Sequence, residues 1–147
     1  MTKYNPKRED HRKWLAERII KVILGYGYIM DFGSLANELS FVRKVNDYEI
    51  RVYTSIDKAT GACRHSGSDA LRVLCLEPKK LFEPRFSRNI HRRGTFDSIA
   101  SRLAEALRIA NWNAENPDKP RWNGSASPKR RKNGRIQKKI KKNKLFS

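Results

Sequence analysis

The last nineteen residues of this chain constrain how the rest can fold. From Lys129 to Ser147 there are ten Lys or Arg and no acid, with Ile136, Ile140, Leu145 and Phe146 the only sizeable apolar side chains. Such a segment buries too little apolar surface to offset the entropy of ordering it, so it is expected to be disordered when free. The core must come from what precedes it. That gives one domain over 1–116, a linker over 117–128 rich in Pro, Asn, Ser and Gly, and the basic tail over 129–147.

The 33 Lys+Arg stand against 15 Asp+Glu, a formal charge of +18, of which the tail supplies +10 and the remainder +8. A chain so charged repels itself and favours a polyanion as partner. Hydrophobic residues still make up 38% of the 147, enough for a real core. No apolar run approaches the ~18 residues of a membrane span, and the basic stretches lack the apolar stripe of an interfacial helix. No membrane partner is expected. Cys63 and Cys75 are too few and too far apart for a zinc site, Cys75 reading as a buried hydrophobe and Cys63 as part of a polar turn. The polar N-terminus, with Glu9 and Asp10 close behind, resembles no signal or transit peptide, and the expected location is cytoplasmic, nucleoid-associated or in a phage-infected cell, or nuclear in a eukaryotic host.

Periodicity outlines the domain. Residues 7 to 24 place Trp14, Leu15, Ile19, Val22 and Ile23 near one stripe of a helix that Gly25 and Gly27 stop. Leu35, Ala36 and Leu39 suggest a second, short helix from Phe32 to Phe41. After it Asn46-Asp47 offers a tight turn, and Tyr48 to Ile56 alternates as a strand with Ile50, Val52, Thr54 and Ile56 on one face and Glu49, Arg51, Tyr53 and Ser55 on the other. Strands are expected again over Asp69–Glu77 and Arg85–Arg92. Thr95 then caps a long helix carrying Phe96, Ile99, Leu103, Ala106, Leu107 and Ala110 and ending near Trp112. The expected class is α+β: an N-terminal helix, an antiparallel sheet of three or four strands, a long C-terminal helix and a disordered basic tail.

Three groups of residues suit phosphate. The tail cations Lys129, Arg130, Arg131, Lys132, Arg135, Lys138, Lys139, Lys141 and Lys142 would neutralise phosphates irrespective of base sequence and release counterions in doing so. Their two clusters also fit a bipartite nuclear-import signal. On the sheet, Arg51, Tyr53 and Arg72 face away from the aliphatic side, where cations can hold phosphates while a base stacks on the ring. A covered or merely solvated sheet face is the plain alternative. The third group is the run Arg88, His91, Arg92, Arg93 leading into the last helix, with Arg85 before it and Arg64 in the loop Arg64-His65-Ser66-Gly67-Ser68, a weak match to a phosphate nest. No catalytic residue, metal ligand or cofactor is assigned. His11, His65 and His91 lie in no motif, although a metal-dependent nuclease assembled from Asp57, Asp69, Glu77 and Lys79 remains an alternative.

Arg51-Val52-Tyr53-Thr54-Ser55-Ile56, Gly61, Gly67, Asp69-Ala70-Leu71-Arg72-Val73 and Arg88-Asn89-Ile90-His91-Arg92 together resemble a little-characterised module of phage and prokaryotic proteins. The resemblance spans residues 48 to about 112. The module's sheet-then-helix layout is also similar to the core of Rad52-type single-strand annealing proteins. It implies a role in DNA replication, recombination or repair, with Arg51, Tyr53, Arg72, Arg88 and Arg92 as inherited binding positions. Members can be followed by a cysteine-rich zinc ribbon; no cysteine follows Cys75 here, so no ribbon-dependent function carries over, and the annealing analogy rests on topology.

Sequence-tolerant binding of single-stranded DNA is therefore the expected function, with self-association compatible with annealing. An RNA-binding or ribosome-associated protein shares the size, charge and tail, and is the first rival.

Overall fold

The computed structural model describes residues 2–65, 70–78 and 83–124. Two helices lie on one side of a five-stranded antiparallel sheet: α1 Glu9–Gly25, β1 Ile29–Met30, β2 Glu38–Val45, β3 Tyr48–Asp57, β4 Ala70–Leu76, β5 Phe86–His91 and α2 Phe96–Glu115. The strands are ordered β1-β2-β3-β4-β5, a continuous meander. The α+β class with a helix at each end stands, but the sheet has five strands, not three or four. The tail, 129–147, lies outside the described residues.

Sequence periodicity misassigned the stretch after α1. No helix runs from Phe32 to Phe41; Glu38–Val45 is a strand paired with β3, and the preceding residues form a turn from the two-residue β1. Leu35, 99% exposed, and Leu39, half-buried, share no buried stripe, so helical spacing there had nothing to pack. The Asn46-Asp47 turn is as expected, both residues taking positive φ (50° and 70°), the conformation that matches strand twist in a two-residue hairpin. The last helix also starts as expected, with the Thr95 side chain accepting the Ser98 N–H, and runs on to Glu115.

α2 supplies most of the helical share of the core through Ile99, Leu103, Ala106, Leu107, Ile109 and Ala110. It packs on β3, β4 and β5, while α1 lies beside it and adds Leu15, Ile19 and Ile23. The sheet answers with Phe41, Ile50, Val52, Leu71, Val73, Cys75, Phe86 and Ile90. Trp14, expected in the α1 stripe, is half exposed and instead joins Tyr4, His11 and Phe96 in an aromatic cluster at the start of α2. Cys63 is buried rather than held in a polar turn, because β3 continues into an antiparallel bridge between Ile56 and Cys63.

The alternation expected across β3 holds as far as Tyr53 and then breaks. The register with β2 shifts between Glu38 and Ser40, and Ser55 takes a φ of 59° and is buried. The Thr54 hydroxyl donates to Leu39 O and accepts from Ile56 N, which fills the hydrogen bonds the irregularity opens. Beyond α2 the chain turns back, and Asn113 fastens it by donating to Trp122 O and accepting from Trp122 N. Gly124 then lies so close to Ile109 that a Cβ there would sit 2.5 Å from the isoleucine Cδ1. Trp122 and Gly124, within the stretch read as a linker, thus lie against α2.

Candidate nucleic-acid interface

Which face each strand residue occupies follows from the register, because directly paired residues share a face. Tyr53 pairs with Ser40 and Arg72, and Arg72 with Asn89. The neighbouring row is Ile29, Val42, Arg51, Leu74 and Ser87, and a third holds Lys44, Glu49 and Leu76. These rows alternate with the buried Phe41, Ile50, Val52, Val73 and Cys75. They form the side away from both helices. Two charged residues confirm the other side: Arg43, paired with Ile50, reaches Glu115 of α2, and Arg88, paired with Val73, reaches Glu105 of α2.

On the uncovered face Tyr53 is 43% exposed and lies directly across from Arg72, which is also exposed and forms no ion pair among the described residues. Arg51 is held differently. Its Nη1 donates to Asp31 Oδ2 at 2.8 Å and its Nε to Glu49, so the side chain spans from β3 across β2 to the residue following β1. Ser40, on the same face of β2, is buried, with its hydroxyl unpartnered among the described residues. The Arg51 hydrogen bond, more than any other influence, holds the Asp31 carboxyl below the ordinary carboxylate range, and the same contact raises the Arg51 guanidinium. Half-buried Leu74 and Leu76 continue the face, with neither α1 nor α2 over them.

The remaining sequence candidates fall elsewhere. Arg88 is on the helix side, its guanidinium 5.4 Å from the Phe86 ring and bonded to Asn123 O as well as Glu105. Arg92 is buried and donates to Arg64 O; Arg64 itself pairs with Glu38. Arg85 donates to Asn113 O, Asn116 O and Lys119 O, satisfying carbonyls at the negative end of α2. Arg93 remains exposed, its carbonyl taken by Arg102. The basic run from Arg85 to Arg93 is therefore no single edge: strand alternation and local packing send its members to both faces and into the core.

Ser66, Gly67 and Ser68 of the proposed phosphate nest lie outside the described residues, as do Asp69, Lys79 and all the tail cations. The two described acids of the nuclease alternative do not converge. Asp57 ends β3, accepting the Ala59 and Thr60 N–H groups, whereas Glu77 accepts the Tyr48 hydroxyl at its other end. Nine residues of strand put them roughly 30 Å apart, before allowing for the irregularity at Ser55. Both thiols are buried, and desolvation raises each, that of Cys75 to about 12.

Three features of this face were not read as part of the site. Asn89, Ser87 and His91 on β5 join it through their pairing with Arg72, Leu74 and Ala70. Asp31, which neutralises Arg51, lay just before a supposed helix. Phe32, beside it, is 86% exposed. Alternation from Phe86 and Ile90 was enough to find the β5 residues; only the pairing of β1 with β2 reveals Asp31 and Phe32. No family model, curated protein or solved structure matches the chain.

Proposed function

We propose that this protein binds single-stranded nucleic acid, DNA in preference, with little regard to sequence, and serves strand annealing in replication, recombination or repair. The observation that carries the proposal is the sheet face away from the helices on which Tyr53 stands directly opposite an exposed Arg72 that has no ion pair among the described residues. A base stacks on the ring because every base has a π-face, and the adjacent guanidinium holds the phosphate. Asn89 and Ser87, both exposed, add polar groups along the same rows. Arg51 contributes less charge than its type suggests, since Asp31 and Glu49 already occupy it.

The tail adds affinity of a different kind. Ten cations without an acid attract any phosphate backbone and make binding steeply salt-dependent. Selectivity for exposed bases belongs to the sheet face, because phosphates alone do not distinguish a single strand's bases.

Competition binding at fixed salt with single-stranded DNA, duplex DNA and structured RNA tests the proposal. Single-stranded DNA should compete best. Equal or stronger competition by structured RNA would replace it with an RNA-binding function. Deleting residues 129–147 should weaken binding to all three and flatten its salt dependence, and an unchanged slope would remove the tail from the account.

A further inference from the structure

We propose that the turn from Asp31 to Asn37 belongs to the same surface and that Phe32 is its second stacking residue, so that one strand rests a base on each of two rings, Phe32 and Tyr53. This rests on the single-strand reading of the open face and extends it to a residue and a footprint.

Phe32 at 86% and Leu35 at 99% are the most exposed large apolar side chains among the described residues. A ring left in water forgoes roughly 25 cal/mol for each Å² left unburied, so an exposed aromatic at a turn contributes nothing to stability. The turn is nevertheless well tied. Asp31 N–H bonds to Ser40 O at 2.9 Å, Gly33 N–H to Asp31 Oδ1, and Lys58 reaches it twice, with its backbone N–H on Asn37 O and its Nζ on Ser34 O. The Asp31 carboxylate does two jobs: one oxygen shapes the turn that carries Phe32, and the other holds Arg51 on the open face. Phe32 is therefore presented next to the rows that hold Tyr53, about two strand spacings or 10 Å across the sheet.

Charge selects the occupant. Asp31 and Glu49, the acids of this surface, are taken by Arg51, while Lys44, Lys58 and Arg72 have no carboxylate partner among the described residues. A second copy of a chain carrying +18 would bring like charge against them; a polyanion with stackable bases brings the opposite. Stacked bases on the rings and phosphates on Lys58 and Arg72 satisfy both chemistries at once.

The test measures anisotropy of labelled oligothymidylates of increasing length with the full chain and with Phe32→Ala, Phe32→Trp and Tyr53→Ala. Phe32→Ala should weaken binding of the longer oligonucleotides about 5- to 100-fold, the loss of one stacked base, with the salt slope and thermal midpoint unchanged. Phe32→Trp should retain affinity. If Tyr53→Ala weakens binding while Phe32→Ala does not, the second ring is refuted and the platform survives. If neither weakens it, both the inference and the single-strand reading fail. A change in sedimentation on Phe32→Ala with affinity intact would make the turn a contact between copies and overturn the proposal.

Discussion

The two faces of one sheet are built from the same strands and have opposite fates. On the helix side Phe41, Ile50, Val52, Leu71, Val73 and Cys75 are fully buried, and even the cations that point there are used, Arg43 on Glu115 and Arg88 on Glu105. On the other side Tyr53 and Arg72 face water, and Leu74 and Leu76 are only half-buried. The helix side stores the stability and the open side stores unused contact. A surface that the fold does not need is free to serve a partner.

Substitutions should separate these roles. The largest effect belongs to the helix side. Leu103→Ala, at a fully buried position of α2, should lose about 2–5 kcal/mol of stability in urea unfolding. A loss below about 1 kcal/mol would mean that α2 is not packed as described. Next comes Tyr53→Ala, expected to cost about 1–3 kcal/mol of single-strand affinity with the salt slope retained and less than about 1 kcal/mol of stability. Unfolding on this change would make the open face structural and erase the contrast.

Arg72→Ala should lower the slope of log affinity against log salt by about one phosphate contact, which a salt titration reads directly. Arg88→Ala, on the helix side, should leave that slope unchanged. The smallest effect concerns the Asp31 clamp. Because Arg51 lowers the Asp31 pKa on folding, the pair's contribution is present above the ordinary carboxylate pKa near ~4 and is lost as pH falls through the lower folded value. Asp31→Asn should remove that part of the acid-side pH dependence of stability and, by freeing Arg51, tighten oligonucleotide binding at neutral pH. Weaker binding would show that Asp31 chiefly positions the turn.

Much of the fold was legible because its signals are local. Thr95 before an apolar stripe, Asn46-Asp47 between alternating runs, and Leu71, Val73 and Cys75 on one side of a strand each state their structure within a few residues. The open-face trio was legible for the same reason, since alternation alone puts Arg51 and Tyr53 opposite Ile50 and Val52. The stretch from Ile29 to Phe41 was not. Leu35, Ala36 and Leu39 have helical spacing, but pairing with β3 over Phe41 to Val45 outweighed it, as tertiary contact commonly outweighs weak local preference.

The arginines mark the boundary most clearly. Sequence by itself determined the excess of positive charge, its concentration after Lys129, and the period that divides each strand into two faces. Only the tertiary structure decided which cations remain available, because a guanidinium's partners come from distant segments: Asp31 for Arg51, Glu105 and Asn123 for Arg88, the Arg64 carbonyl for Arg92. Charge is a property of composition, but a free charge is a property of packing.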